Sequence, residues 1–264
     1  MTARYHIGFG PEDVQGIDTV LLCGDPDRAT RIANEHLTFE RTLSTHRGLH
    51  SHIGVTPGGR RVIAATSGMG APSTSIVVNE LAQVGVRHIL RIGTSGSLQE
   101  HVKPGSVVIT RAALCRQGAA EDIAPTGYPA AASPFWTMAL AGAAKARGLD
   151  WHVGITASVD TFFEGQERAD TSFNKHLLRR NRGMLDEYRA LRVLNMEMES
   201  GTLFKLASVY GIGAGTVCAI IAAREQSEAV EQDLIARTER AAIQVAVEAV
   251  DSIDPAWLDA SHRW

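Results

Sequence analysis

Short apolar runs rich in β-branched residues recur along the chain and alternate with longer stretches whose apolar positions fall at helical spacing. DTVLLCG (18–24), RVIAATSG (61–68), RHILRIG (87–93), SVVIT (106–110), WHVGITASV (151–159), RVLNM (192–196) and GTVCAIIAA (215–223) predict strands. Several are apolar on both faces, as strands are when a sheet is covered on both sides. Between them STSIVVNELAQVG predicts a helix stopped at Gly85, and ESGTLFKLASVYG one stopped at Gly211. A last helix is expected from about Asp233 to Ile253, with Leu234, Ile243, Val247 and Val250 near one face and Pro255 closing it. No internal repeat, low-complexity tract or linker breaks the pattern, so a single α/β domain over residues 1–264 is expected.

Composition narrows the function classes. With 264 residues, 44% of them hydrophobic and 21% charged, the chain is long enough to bury a full core. A formal charge of −3 leaves no basic surplus to neutralise a nucleic-acid backbone, so nucleic acid is not an expected partner. The opening MTARYHIGFG has no apolar signal core and no stretch approaches a membrane span, which sets a cytoplasmic expectation without membrane association. Cys23, Cys115 and Cys218 lie far apart and form no CxxC pair, so neither a zinc knuckle nor a disulfide framework is expected.

In α/β sheets ligands gather at the carboxyl ends of strands, and four such junctions carry chemistry. In LLCGDPDR, Gly24 leaves the strand, Asp25 suits a helix N-cap, Pro26 suits the first helical position, and Arg28 follows. Two readings stand: an anion site built from backbone N–H groups beside a guanidinium, or an ordinary capped helix with a surface arginine. In LRIGTSGS, Arg91 ends an apolar strand, with Gly93, Thr94, Ser95 and Gly96 expected to turn after it. A buried arginine needs an anionic partner, either a structural carboxylate or a bound phosphate. NMEMES follows RVLNM and brings Glu197, Met198 and Glu199 to the start of a helix. A carboxylate can accept from two vicinal hydroxyls and a methionine can lie against a sugar face, while first-turn acids also simply complement a helix dipole. In DTFFEGQER, Phe162 can stack on a planar base while Gln166, both donor and acceptor, and Arg168 address its polar edge.

Several familiar motifs fail. SGMGAPS lacks the third glycine of a dinucleotide loop, because Ser73 stands there, and no GK[ST] follows any glycine loop. GTSGS has the wrong order for a nucleophile elbow. His46, His50 and His52 have no companion ligand pattern and are expected to be solvated loop histidines, so no metal is expected.

GDPDR, His46-Arg47, SGMGAPSTS, LRIGTSG, DTFFEGQER, EMES and the late Arg224 occur in an order and spacing that resembles the nucleoside phosphorylase family, on its pyrimidine-specific, uridine phosphorylase branch. The likeness runs to about Val250, and the GQER segment is what separates that branch from purine-cleaving relatives. The resemblance implies a central mixed, twisted sheet flanked by helices, and phosphorolysis of uridine or 2′-deoxyuridine to uracil and a pentose 1-phosphate. It assigns phosphate to Gly24, Arg28, Arg91 and Thr94, joined by Arg47 from a neighbouring subunit. It assigns ribose to Glu197, Met198 and Glu199, with His6 reaching the adjacent subunit's substrate. The base falls to Ser95, Gly96, Phe162, Gln166 and Arg168, with Arg224 beside them, and Arg91, Gln166, Arg168 and Arg224 carry the catalysis. It further implies a homo-oligomer, a hexamer made of three dimers, with inorganic phosphate as co-substrate and no cofactor.

Three features depart from the family pattern. Gly48 stands where an acid commonly follows the interface arginine and helps to bind a monovalent cation, so a potassium site is doubtful. Glu225 replaces a hydroxyl next to Arg224, and residues 251–264 run past the usual end of the family. The polar stretch REQSEAVEQ from Arg224 is expected to close over the site. The alternatives are a purine nucleoside phosphorylase or nucleosidase of the same fold, in which an aspartate typically stands near the Arg224 position, and a non-catalytic nucleoside-binding protein.

Overall fold

A computed structural model describes residues 2–224 and 232–258. The described residues form one mixed sheet of β1 (Thr19–Cys23), β2 (Thr38–Ser44), β3 (Ser51–Val55), β4 (Arg61–Thr66), β5 (His88–Ser97), β6 (Val107–Arg116), β7 (Trp151–Val159), β8 (Asn195–Glu197) and β9 (Gly213–Ala223). Their order is β2-β3-β4-β1-β5-β8-β7-β6-β9, and β9 pairs back onto β5 in parallel from His88↔Gly213 to Ser97↔Ala223. The last five strands therefore close on themselves. The helices are α1 (Pro11–Val14), α2 (Pro26–Arg31), α3 (Ala71–Gln83), α4 (Gly118–Glu121), α5 (Pro134–Ala146), α6 (Met184–Ala190), α7 (Ser200–Tyr210) and α8 (Gln232–Ser252).

Side chains alternate across a strand, which explains why the central strands are apolar throughout. In β1, Leu21 and Cys23 join a core shared with α5 and α8, whereas Val20 and Leu22 join one shared with α3 and α7. In β4, Val62 and Ala64 point to the first core, and Ile63 and Ala65 to the second. Both helix stops occur as expected: α7 ends at Gly211 in the left-handed conformation, and Gly85 follows α3 at φ +109. The expected last helix is α8.

The structure corrects several expectations. β2 and β3 were not expected, because TFERTLS is mostly polar and exposed, as suits an edge strand. His52 lies buried in β3, within 3.0 Å of Thr42 Oγ1 and 3.3 Å of Thr30 Oγ1, and so is not the solvated loop histidine expected there, whereas His46 is exposed and His50 is half-buried in the loop before β3. β5 runs on through Ser97, so Thr94, Ser95 and Gly96 do not turn after Arg91 but continue the strand, held by β9. β8 is three residues long and includes Glu197, which therefore precedes the helix. The alanine-rich helix α5 was also unforeseen; it buries Trp136, Leu140, Ala143 and Ala144. Beyond Val250 the chain docks onto the body. Asp251 accepts from Thr56 Oγ1 and, at 2.8 Å, from the Gly58 N–H, and the Trp257 ring lies 5.5 Å from that of Phe135.

Candidate active site

A cavity of about 660 Å³ opens where β1, β5 and β8 end and the loop after β7 folds over them. It brings together Gly24, Arg28, Arg91, Thr94, Ser95, Gly96, Phe162, Gln166, Arg168, Glu197, Met198 and Glu199, twelve residues drawn from all four junctions. Asp25, Pro26, Met69, Met196, Ile221 and Ala222 also line it. Sequence reasoning read Asp25 and Pro26 as a helix start and gave Met196, Ile221 and Ala222 no ligand role. The apolar ones carried no signal beyond core packing.

At one end the chain leaves β1 through Gly24, and Asp25 caps α2 by accepting the Asp27 N–H at 3.0 Å, with Pro26 at the first helical position. Arg28 is buried rather than a surface side chain. Its Nε donates to Glu239 of α8 at 2.7 Å and its Nη1 to the Ile92 carbonyl at 3.3 Å. Arg31 Nη2 shares the same carboxylate at 2.5 Å. One carboxylate thus bridges two guanidinium groups and balances one of their two charges.

Arg91 crosses the centre of the cavity. Two residues on, Gly93 faces the same side of β5, and a Cβ there would stand 3.0 Å from Arg91 Nη2 and 3.2 Å from Cys218 Sγ. Glycine leaves room for the guanidinium to fold along the strand. Arg91 Nε donates to Glu197 at 3.0 Å and Nη2 to Glu199. The partner of this buried arginine is therefore a pair of carboxylates. Burial alone would lower its pKa, but Glu199 and Glu197 raise it, so the guanidinium stays charged.

The two carboxylates differ in what remains for a ligand. Glu197 accepts from Arg91, from Ser158 Oγ, and from the N–H groups of Glu199 and Ser200, each at 2.9 Å. It caps α7 while orienting Arg91, so the helix-cap reading and the site reading both hold. Glu199 accepts from the Gly70 N–H at 2.6 Å and from Arg91. Burial pushes its carboxyl above the ordinary range, against the pull of Arg91. Gln117, absent from the sequence reading, donates from Nε2 to the Met198 carbonyl at 2.5 Å and accepts from the Thr202 N–H at 2.9 Å, fixing the turn into α7.

At the other end the Arg168 guanidinium lies 4.2 Å from the Phe162 ring centroid, and its Nε is 3.4 Å from Gln166 Oε1. Arg224, at the end of β9, does not line the cavity itself. Its Nη2 donates to the Gln166 carbonyl, and it packs over Gly96, where a Cβ would meet its Cγ at 3.1 Å. Burial, then Arg168 and Arg189, push Arg224 down to about 10, and burial also lowers Arg168. This end of the cavity concentrates positive charge in poorly hydrated surroundings and favours an anion forming there.

Two further expected residues, Arg47 and His6, also stand outside the cavity. Arg47, exposed and left-handed at φ 55, donates to the Tyr5 hydroxyl at 3.2 Å, and His6 is held by Glu80. Gly48 offers no side-chain oxygen beside Arg47, and Ser73 Oγ donates to the Ser67 carbonyl at 2.6 Å. Among the described residues no group of three or more His, Cys, Asp and Glu side chains is placed to hold a metal, and no helix is long and apolar enough to cross a membrane. Glu225 and nearly all of the expected closing segment after Arg224 lie outside the described residues.

The Phosphorylase superfamily profile matches residues 18–253. The chain is 40% identical to the uridine phosphorylase of Haemophilus influenzae over 253 residues, covering 96% of this chain and 99% of that one. It is also 40% identical to the uridine phosphorylase of Escherichia coli over 245 residues, 93% of this chain and 96% of the other. A guanosine phosphorylase of Halorubrum lacusprofundi is 29% identical over 220 residues, 83% of each chain.

Proposed function

We propose that this chain, which belongs to the Phosphorylase superfamily, cleaves uridine with inorganic phosphate to give uracil and ribose 1-phosphate. The observation that carries the reading is a single cavity with a buried arginine–carboxylate centre at one end and a planar, amide-bearing and cationic end at the other. It is supported by the extent of the likeness to uridine phosphorylases over nearly the whole chain.

In this reading Gly24, Arg28, Arg91 and Thr94 hold phosphate beneath the anomeric carbon, and Glu199 and Met198 hold the ribose. A phosphate oxygen forms the new bond to C1′ as the bond from C1′ to N1 breaks, and that electron pair passes to the uracil ring. The protein supplies position and electrostatics. Gln166 and Arg168, with Arg224 behind them, meet the negative charge that grows on the leaving base, so they act more strongly in the transition state than in the ground state. Glu197, already saturated by four donors, serves by aiming Arg91 rather than by holding ribose directly.

The working unit in this reading is a homo-oligomer, at least a dimer and in full a trimer of dimers, in which Arg47 and His6 complete the neighbour's site. The exposure of Arg47 and its distance from its own cavity support that assignment. A potassium requirement is absent or weak, since Gly48 brings no charge to the place. The setting is the cytoplasm. The test is ultraviolet absorbance on uridine with and without phosphate. Uracil formed only with phosphate supports phosphorolysis, phosphate-independent cleavage makes the protein a nucleosidase, preference for guanosine or inosine makes it a purine enzyme, and no cleavage leaves a binding protein.

A further inference from the structure

We propose that Glu167, between the two base-facing residues Gln166 and Arg168, is a positioning residue that sets the geometry of both. This rests on reading that end of the cavity as the pyrimidine site. Glu167 has a left-handed backbone, φ 51 and ψ 40, which residues bearing a Cβ rarely adopt. The backbone reverses there. Gln166 and Arg168 on either side face the cavity, while the Glu167 carboxylate reaches the start of α6 and accepts the N–H groups of Gly183 at 2.6 Å and Leu185 at 2.7 Å.

The anchor at the far end is firm. In α6, Met184 and Tyr188 are buried in a cluster with Leu98, Val159 and Met196, and Arg116 Nη1 donates to the Tyr188 hydroxyl at 3.0 Å. The Glu167 carboxylate thus ties the base loop to the core by two charge-assisted hydrogen bonds, the stronger kind. Two longer hydrogen bonds also join the loop to the following segment, Asn181 Nδ2 to the Glu164 carbonyl at 3.3 Å and Ser172 Oγ to Glu164 Oε1 at 3.2 Å. With Glu167 cut, the turn that carries Gln166 and Arg168 loses its tie to α6, while the Arg224 contact to the Gln166 carbonyl remains and neither contact to the base is itself removed. Catalysis that depends on placement within a fraction of an ångström then suffers at the base and not at phosphate.

The test compares Glu167→Ala, Glu167→Gln and Gln166→Ala in the full-length protein, measuring KM for uridine, KM for inorganic phosphate, kcat, and the preference for uridine over 3-methyluridine. Glu167→Ala should raise the uridine KM about tenfold with the phosphate KM within about twofold, and should shrink the preference for uridine. Glu167→Gln, which keeps one acceptor, should fall between. If Glu167→Ala does not fold, the glutamine variant alone carries the same comparison, and its effect should shrink in a Gln166→Ala background, where only Arg168 is left to be positioned. An unchanged uridine KM and preference in both Glu167 variants, with only the melting temperature lowered, overturns the proposal and leaves Glu167 a helix cap. If Gln166→Ala also leaves uridine kinetics unchanged, the pyrimidine reading of this end fails as well; if Gln166→Ala impairs them and the Glu167 variants do not, positioning alone fails.

Discussion

The Nδ1 atom of His6 lies 2.6 Å from Oε1 of Glu80 in α3, and the same carboxylate accepts the backbone N–H groups of His6 at 3.0 Å and Ile7 at 2.9 Å. The segment before α1 is therefore pinned to the body of the fold, and the ring presents its other nitrogen, Nε2, away from α3. The donors also draw the Glu80 carboxyl below its ordinary range against the opposing effect of burial. The His6 ring packs edge-on to Tyr5 with centroids 4.9 Å apart, and the Tyr5 hydroxyl accepts from the exposed Arg47.

Subunit mixing tests whether sites are shared. Arg47→Ala and Arg91→Ala homo-oligomers should each be nearly inactive, and co-refolded mixtures should regain activity, because some sites then keep both arginines. No recovery in assemblies shown to be mixed would assign Arg47 to another role.

Arg168→Ala should lower kcat/KM for uridine by about one to two decades, the worth of a charge-assisted hydrogen bond of roughly 1.5–3 kcal/mol. The KM for phosphate should stay near wild type, since Arg168 stands at the opposite end of the cavity from Arg28. Steady-state kinetics varying each substrate in turn would decide it, and intact uridine turnover would remove Arg168 from the base.

Glu197→Gln should destabilise the fold as well as the chemistry. It takes one carboxylate from buried Arg91 and weakens the cap of α7, a loss of roughly 3 kcal/mol or about 6–12 °C in melting temperature for a chain of this size. Ser158→Ala removes one neutral donor to the same carboxylate and the acceptor of the Gly201 N–H, and should cost less, about 1–2 kcal/mol. Equal melting temperatures for the two variants would contradict the ranking.

Replacing potassium with a bulky organic cation at constant ionic strength should leave activity and melting temperature nearly unchanged. Gly48→Glu should introduce a potassium response, since a Cβ at Gly48 meets nothing within 4 Å, and should cost about 1 kcal/mol because φ is +74 there. A clear loss of activity on removing potassium from the unmodified protein would mean that another acid serves the site.

Burial pushes the thiols of Cys23 and Cys218 up to about 12. Iodoacetamide at pH 8 should therefore leave both unmodified in the native protein and alkylate all three cysteines after denaturation, as read by peptide mass. Rapid native labelling at Cys218 would show that the floor of the cavity opens to solvent.

Much of the architecture was legible because it follows from signals carried within a few residues. The apolar character of β1 and β4 foretold cover on both faces, Gly211 and Gly85 marked helix stops, and Asp25-Pro26 foretold the start of α2. The twelve expected residues that line the cavity were legible as motifs for the same reason, most of them at a junction where a strand ends, although Arg91 and Thr94 to Gly96 lie within β5.

What the chain alone determined was therefore local: which segments are strands or helices, and which side chains gather at their ends. Only the tertiary structure decided partnership. β2 is polar and became a strand through pairing with β3, and Thr94 to Gly96 extend β5 because β9 lies alongside. Arg28 and Glu239 stand 211 positions apart and Arg91 and Glu199 108 apart, distances at which no sequence pattern reports contact. Propensity and periodicity act within a turn or a strand, whereas a buried charge settles on whichever opposite charge the folded topology brings to it, because leaving it unpaired costs more than almost any local preference.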